Sequence, residues 1–106
     1  MVRFSQIQEF AQKIGRAYHP QQVILFGSHA REAAGEDSDV DLLVVLPFEG
    51  KSIRKAVEMR LKLRPPFPVD LLVRTPETIR SRLEMGDFFI REIMEEGKVV
   101  YETDYN

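Results

Sequence analysis

The sequence predicts an α/β (α+β) fold, in which a small mixed β-sheet of three or four strands is flanked by helices. Short apolar runs of strand length alternate along the chain with longer segments whose apolar residues recur at helical spacing. The chain has 106 residues, of which 43% are hydrophobic and 30% charged, a composition typical of a globular protein. We therefore expect residues 1–106 to form a single domain around one core.

The N-terminal segment predicts an amphipathic helix. Its apolar residues recur at helical spacing and are Phe4, Ile7, Phe10, Ala11, Ile14 and Tyr18. Ser5 and Gln8 fit a capping box at the start of this helix. His19 precedes Pro20, and we expect the helix to end there because a residue before proline avoids the α region.

Two strands and a short helix are predicted next. The run QVILF at 22–26 is apolar and of strand length, and a second such run at 40–46 is stopped by a proline. Between them, the good helix formers of SHAREAA predict a helix over 28–34, bounded by Gly27 and Gly35.

The second half of the chain predicts three helices and one or two strands. A helix with a cationic outer face is expected within 51–63, and a strand over 69–74. The apolar face of that helix is expected to comprise Ile53, Ala56, Val57 and Leu61. Thr75 and Asp87 are the expected N-caps of the last two helices, and 98–102 is a candidate edge strand.

The composition excludes several kinds of site. The sequence contains no cysteine, which excludes disulfides, thiol nucleophiles and zinc–thiolate centres and fits a cytoplasmic location. No apolar run approaches the ~18–20 residues of a membrane helix, and polar residues interrupt the N-terminus, so neither a membrane span nor a signal peptide is predicted. The net charge of -2 does not favour direct binding of long nucleic acid.

Aspartates interrupt two strands that are otherwise apolar. The pentapeptide Val-Asp-Leu-Leu-Val occurs at 40–44 and at 69–73, which places Asp41 and Asp70 at equivalent positions. Asp39 lies two residues before Asp41, and alternate residues of a strand point to the same face. If the two strands are neighbours, the three carboxylates converge and repel one another. Mg²⁺ relieves such repulsion by binding carboxylate and phosphate oxygens, and two such ions can stabilise both oxygens of a nucleotidyl displacement.

A candidate phosphate site precedes the acidic residues. In FGSHAR, residues 26–31, a strand ends, Gly27 permits close approach of the backbone, and a helix is expected to begin at Ser28. A helix N-terminus binds anions, and the Ser28 hydroxyl is a further donor. Arg31 lies three residues further on, on the same helical face, and could also reach a phosphate.

These motifs resemble the signature of a known superfamily. The Gly-Ser pair at 27–28 is followed after ten residues by Asp-x-Asp at 39–41, which resembles the Gly-Ser-x10-Asp-x-Asp signature of the DNA polymerase β-like nucleotidyltransferases. Asp70 stands where that superfamily places its third carboxylate, on a following strand. The small size, the GSHAR segment and the tail GDFFIREIMEEGKVVYE further resemble the minimal nucleotidyltransferases, or MNT proteins, which are commonly paired with HEPN-domain proteins. The resemblance covers nearly the whole chain and implies the nucleotidyltransferase fold.

The resemblance implies that the three aspartates form a catalytic metal site. Asp39 and Asp41 would bind both Mg²⁺ ions. Asp70 would ligate the catalytic ion and help to activate the acceptor hydroxyl. Larger members of the superfamily have an additional domain that holds base and acceptor. Its lack here points to a partner chain and a hetero-oligomer.

The resemblance also implies the substrates. Gly27 and Ser28 would hold the phosphates of ATP or another nucleoside triphosphate, with Arg31 as a further contact. The enzyme would transfer a nucleoside monophosphate, AMP from ATP, to a hydroxyl group and release pyrophosphate. The implied acceptor is a tyrosine of a cognate HEPN toxin, which makes this chain its antitoxin.

Two other functions stay open at this point. A non-catalytic antitoxin would neutralise the same HEPN partner by occlusion, with its acidic site retained but without turnover. A small-molecule nucleotidyltransferase of the antibiotic-modifying type would need an acceptor domain.

Single motif residues also have structural interpretations. Asp39 alone is typical of a turn, the Gly-Ser pair of an ordinary strand-to-helix turn, and Arg31 of a solvated helix face. His29 is expected to be exposed. A cationic set is expected to be a solvated face, with contact to nucleic acid or an acidic partner as the alternative: Arg54, Lys55, Lys62 and Arg64. An apolar set predicts either a buried terminal helix or an exposed partner-binding patch: Phe88, Phe89, Ile90, Ile93 and Met94.

Overall fold

The computed structural model describes residues 1–103, so the last three residues of the predicted domain lie outside the described residues. The elements are α1 (Phe4–Tyr18), β1 (Gln22–Phe26), β2 (Val40–Val45), α2 (Ser52–Leu63), β3 (Val69–Arg74), α3 (Pro76–Glu84), α4 (Phe88–Glu96) and β4 (Lys98–Glu102). The predicted α/β (α+β) class is confirmed. None of the helices in 1–103 is long and apolar enough to cross a membrane.

The four strands form one mixed sheet in the order β3-β2-β1-β4. β1 pairs antiparallel with β2 and with β4, whereas β2 and β3 are parallel. Parallel neighbours need a long crossover connection, and α2 lies in that connection. β4 is an edge strand, as predicted, and β3 forms the other edge.

The helices cover the two faces of the sheet, and β2 contributes to both. Leu42 and Val44 point into a core shared with α1 and α2, whereas Leu43 and Val45 point into a smaller core shared with α3 and α4. This division follows from the alternation of side chains along a strand. Because β2 lies inside the sheet and is covered on both faces, its run is almost continuously apolar.

The predicted caps of α3 and α4 are confirmed. The Thr75 and Asp87 side chains each accept a hydrogen bond, of 3.1 Å, from the backbone N–H three residues further on. The predicted helix α1 is also confirmed, but its predicted capping box at Ser5 and Gln8 was wrong, because Arg3 is the N-cap. The Arg3 N–H donates to Gln6 Oε1 at 2.7 Å, so the pair with capping-box spacing lies two residues earlier.

The predicted helix over 28–34 does not form. The N–H groups of Ala30 and Arg31 donate to the Gly27 carbonyl at 3.1 and 3.3 Å, which closes one turn. Glu32 then adopts a φ of +57°, in the left-handed region, and the chain turns away. β1 and β2 are antiparallel neighbours paired as far as Phe26 and Asp41, so the chain must return to the same end of the sheet. This requirement overrides the helix propensity of the segment.

The expected buried face of α2 was wrong for three of its four residues. Ala56 is partly buried and packs against the core together with Met59 and Leu63. The three exposed residues are Ile53, Val57 and Leu61. Apolar residues occur at helical spacing on both sides of α2, so periodicity alone could not identify the side that contacts the sheet.

Candidate active site

The structure places Asp41 and Asp70 side by side. β2 and β3 are parallel neighbours, and their register pairs Asp41 with Asp70. Both residues belong to the sheet face that carries Leu43 and Leu72, the face covered by α3 and α4. Asp41 is half-buried and Asp70 is exposed. The two strands are thus neighbours, which is the condition that the sequence analysis set for bringing these carboxylates together.

Asp39 lies close enough to Asp41 for its negative charge to act on the Asp41 carboxyl group. It is an exposed residue directly before β2. Burial raises the pKa of the Asp41 carboxyl above its usual value, and the nearby charges of Asp70 and Asp39 raise this pKa further. His29 acts on the Asp41 pKa in the opposite direction. The three aspartates thus share one electrostatic environment, in which charge on Asp41 is disfavoured.

The chemistry of these carboxylates fits a hard cation. Among residues 1–103, no protein group donates a hydrogen bond to Asp39, Asp41 or Asp70, so their oxygens are available as ligands. Carboxylate oxygens in mutual repulsion are the donors that Mg²⁺ prefers. In the described part of the chain, however, no three acidic or histidine side chains are arranged so that they could hold a metal ion together.

Gly27 lies against the Asp41 carboxylate. Its φ is +75°, a conformation that strains other residues. A Cβ atom at this position would collide with Asp41 Oδ2 and lie 3.3 Å from Asp41 Cγ. The sequence predicted that Gly27 permits a close approach of the backbone, and the structure shows such an approach to an acidic side chain.

The turn after β1 offers backbone donors without a helix behind them. Ser28 is half-buried, and within residues 1–103 the N–H groups of Ser28 and His29 have no protein acceptor. Successive N–H groups in a turn can bind an anion. The expected contribution of a helix dipole is missing, because 28–34 is a turn.

His29 is a residue whose contact the sequence analysis missed. Its side chain is half-buried, and its Nε2 lies 3.1 Å from the Ser38 carbonyl oxygen, to which it donates in the matching tautomer. This bond ties the turn after β1 to the loop that leads into Asp39. The nine-residue separation crosses an irregular loop, so no sequence period predicts it.

A pocket of ≈ 430 Å³ opens beside the paired aspartates. Among the predicted site residues, Gly27, Arg31, Asp41 and Asp70 line it. Ser28, which follows Gly27, and Asp39, two residues before Asp41, do not line the pocket. The remaining lining residues were not predicted as site residues and are Phe26, Ala30, Leu72, Phe89, Glu92, Ile93 and Glu96.

One face of α4 forms a wall of this pocket. Phe89, Glu92, Ile93 and Glu96 follow one another at helical spacing and all line it. The Phe89 ring contacts the Phe26 ring edge to face, with centroids 5.8 Å apart. The sequence did not predict that this side of α4 lines a pocket. Glutamates such as Glu92 and Glu96 are usually solvated surface residues, and an aromatic residue such as Phe89 could equally belong to the core.

The two interpretations of the apolar residues in α4 are each partly right. Ile90 and Ile93 are buried in the smaller core, as a terminal helix requires. Phe88 is 82% exposed, which fits the alternative of a partner-binding patch. Arg31, also exposed, forms a long ion pair with Glu92 across the pocket, with 3.9 Å between Nη1 and Oε1.

Comparison with known proteins agrees with this geometry. The profile of the family described as "Nucleotidyltransferase domain" matches residues 5–100. The chain belongs to this family. A curated relative from Methanocaldococcus jannaschii, named "putative protein adenylyltransferase", is 29% identical over 97 residues, which cover 90% of this chain and 94% of the relative. Family and relative together show that this chain is a nucleotidyltransferase.

Solved structures show the same fold at low sequence identity. A crystal structure described as a "putative nucleotidyltransferase" from Sulfolobus solfataricus superposes with a TM-score of 0.65 at 15% identity, over 96% of this chain and 82% of that chain. A toxin–antitoxin crystallised with AMP-PNP gives a TM-score of 0.59 at 22% identity, over 92% of this chain and 74% of that chain. The predicted nucleotidyltransferase fold is therefore confirmed.

Proposed function

We propose that this nucleotidyltransferase transfers AMP from ATP, with Mg²⁺, to a tyrosine hydroxyl of a HEPN-domain toxin and thereby acts as its antitoxin. The observation that carries the proposal is the pairing of Asp41 with Asp70 beside a pocket that also contains the Gly27 turn. The proposed acidic ligands Asp41 and Asp70 and the proposed phosphate contacts Gly27 and Arg31 line the same pocket of ≈ 430 Å³.

Asp39, Asp41 and Asp70 would hold the metal ions. Bound there, Mg²⁺ would neutralise the charge that develops on the phosphate oxygens during transfer. The three side chains would supply the oxygen ligands, and their negative charges would favour a cation. Gly27 keeps the backbone close to the Asp41 carboxylate without displacing it.

The turn after β1 would bind the triphosphate. The N–H groups of Ser28 and His29 and the Ser28 hydroxyl are donors that directly follow Gly27, which lines the pocket. Arg31 lines the pocket and could exchange its long ion pair with Glu92 for a phosphate oxygen. Because an Arg–phosphate pair is stronger than an exposed ion pair at 3.9 Å, the exchange is favourable.

Asp70 is the residue best placed to take the proton of the acceptor. It is exposed and lines the pocket, whereas Asp41 is half-buried. The hydroxyl oxygen would attack the α-phosphorus while its proton passes to the Asp70 carboxylate. The bond from the α-phosphorus to the bridging oxygen breaks, and pyrophosphate leaves with the electron pair.

The relatives support a protein acceptor. The M. jannaschii relative carries the name of a protein adenylyltransferase, and one structural neighbour is a toxin–antitoxin crystallised with AMP-PNP. The HEPN identity of the partner and its tyrosine rest on the resemblance of the sequence to MNT proteins.

One observation favours a second function, neutralisation by occlusion. Phe88 is 82% exposed beside Phe89, which lines the pocket, so a partner that packs on this end of α4 would also cover the site. Such an antitoxin would need the surface of α4 but not the carboxylates.

Transfer of label separates these functions. The HEPN protein encoded beside this chain, where present, is incubated with it, Mg²⁺ and ATP labelled at the α-phosphate. We expect label on the partner, none with ATP labelled at the γ-phosphate, and none when the acceptor tyrosine is phenylalanine. Asp70→Asn should abolish labelling, whereas Asp37→Asn, a change in an exposed loop aspartate, should not.

Binding without label would contradict transfer and support occlusion. Label on a small hydroxylated molecule but not on the protein would support the small-molecule alternative.

A further inference from the structure

The outer side of α2 carries an apolar stripe that no part of residues 1–103 covers. Ile53, Val57 and Leu61 recur every four residues, so they lie along one side of the helix, and they are 72%, 52% and 72% exposed. Met59 and Leu63, on another side, hold α2 on the sheet. Single exposed apolar residues need no explanation, but three aligned along one helix form a contiguous surface.

Cationic residues border this stripe on both sides. With about 100° between successive residues, Arg60 lies beside Ile53 and Arg54 beside Leu61 when the helix is viewed along its axis. Arg60 Nη2 donates to the Val69 carbonyl oxygen at 2.6 Å, whereas Arg54 is exposed. Segment 51–64 contains six Lys and Arg residues and one acidic residue, whereas the rest of the chain contains nine and sixteen. The acidic residue, Glu58, is paired with Lys55 at 3.0 Å. The helix α2 is thus a cationic region of a chain that is otherwise acidic.

We propose that this side of α2 is the docking site for an acidic amphipathic helix of a partner protein. Apolar residues at i, i+4 and i+8 form the ridge that a second helix packs against. The exposed Arg54 and the net positive charge of the segment 51–64 would attract carboxylates on the rim of that helix and repel a basic one. The partner therefore has an apolar stripe bordered by Asp and Glu.

Two other occupants fit the same surface less well. Nucleic acid would satisfy the arginines, but the exposed Ile53, Val57 and Leu61 would contact phosphates and remain unpaired with apolar groups. A second copy of this chain that used the same stripe would place two sets of arginines against each other, since a two-fold interface repeats its own charges.

The docking site is separate from the proposed chemistry. α2 packs in the core formed by α1 on one face of the sheet, whereas Asp41 and Asp70 belong to the face covered by α3 and α4. A partner helix on α2 would leave the ≈ 430 Å³ pocket open. The inference goes beyond the proposed function and does not depend on it.

A displayed library of helical peptides, selected on the full-length chain, tests this proposal. We expect the enriched peptides to be acidic and amphipathic. Ile53→Ser combined with Leu61→Ser should weaken their binding, measured by fluorescence anisotropy, by at least about tenfold. Arg54→Glu should weaken it severalfold, and salt should have less effect on that variant than on the wild type.

Val57→Ser and Val99→Ser form a matched control pair, because these valines are 52% and 51% exposed. Only the first should reduce affinity, and circular dichroism of all variants should be that of the wild type. Enriched peptides that are not acidic, or that bind the Ile53→Ser/Leu61→Ser variant unchanged, would overturn the proposal. Equal binding of heparin with no effect of the apolar substitutions would indicate a polyanion site. A concentration-dependent dimer that the double variant abolishes would identify a second copy as the occupant.

Discussion

β2 and β3 contain the same pentapeptide, Val-Asp-Leu-Leu-Val, in different surroundings. β2 lies inside the sheet, with β1 and β3 on either side, whereas β3 is an edge strand. Asp41 is half-buried and Asp70 is exposed, and the second leucine is 0% exposed in β2 but half-buried in β3. One sequence thus has two environments because the neighbouring strands and helices differ.

The difference bears on the two aspartates. In the inner strand, burial and the charges of its neighbours raise the pKa of Asp41, so negative charge on this residue is disfavoured. Because β3 is an edge strand, Asp70 is exposed, lines the pocket and is accessible to an acceptor group. We infer a division of roles in which Asp41 anchors metal and Asp70 faces the chemistry.

The largest expected effect is a difference in the free energy of unfolding between substitutions of Leu43 and of Leu72, the second leucines of the two pentapeptides. Leu43→Ala should reduce the free energy of unfolding by about 2–5 kcal/mol, because it leaves a cavity under α3 and α4. Leu72→Ala, its counterpart in β3, should cost less, because its side chain is half-buried and lines the pocket. Urea denaturation of both variants measures the two values. Equal losses would mean that the inner and edge strands are packed alike.

Activity is expected to depend on both aspartates despite their different burial. Asp41→Asn and Asp70→Asn should each lower nucleotide transfer at least ~10²-fold, the scale of removing one preorganised electrostatic element. Transfer of α-labelled AMP is the measurement, with Asp37→Asn in the exposed loop as the matched control. Near-normal transfer by the Asp41→Asn variant would rule out its role as a metal ligand.

A substitution at Gly27 tests the close approach of its backbone to the Asp41 carboxylate. Gly27→Ala should lower stability by about 1–2 kcal/mol through its left-handed backbone and weaken Mg²⁺–ATP binding, because its Cβ displaces the Asp41 carboxylate. Gly50→Ala is the control, since Gly50 has a φ of +88° and no atom within 4 Å of an added Cβ. Calorimetric titration should therefore show weaker binding only for Gly27→Ala. Unchanged affinity in a folded Gly27→Ala variant would place the phosphates elsewhere.

The smallest expected effect is the loss in free energy of unfolding that the negative charge of Asp41 causes. Without metal, Asp41→Asn should be more stable than the wild type by up to about 1 kcal/mol, limited by solvent screening of a half-buried group. Asp70→Asn should gain less, since it relieves repulsion but not the burial of a charge. Mg²⁺ should stabilise the wild type more than either variant. Thermal melts in EDTA and in Mg²⁺ measure these differences.

The pH dependence of this effect has a defined sign. The folded-state pKa of Asp41 is raised, so between its ordinary value and the raised value the native state binds more protons than the unfolded state. The cost is fully present above the raised pKa and disappears as pH falls through it to the ordinary value. The advantage of Asp41→Asn should therefore shrink on acidification. A variant that is less stable than the wild type in EDTA at neutral pH would identify Asp41 as a structural aspartate.

The sequence by itself determined those features that depend on interactions between residues close together in the chain. The strands at 22–26 and 69–74 and the caps Thr75 and Asp87 could be predicted, because strand alternation and capping act over a few residues. The equivalent positions of Asp41 and Asp70 in the repeated pentapeptide were also visible, but that their strands are neighbours was not. The spacing from the Gly-Ser pair to Asp39 was also sufficient to indicate the family, which the match over residues 5–100 confirms.

Tertiary structure alone decided which surfaces these elements present. The segment 28–34 has helix formers, yet antiparallel pairing of β1 with β2 makes it a turn. α2 has apolar residues on two sides, and packing on the sheet selected Met59 and Leu63 and left Ile53 exposed. Glu92 and Glu96 line the pocket because α4 crosses the sheet face that carries Asp41 and Asp70. In each case the energy comes from contacts between residues far apart in the chain, and a local pattern does not contain them.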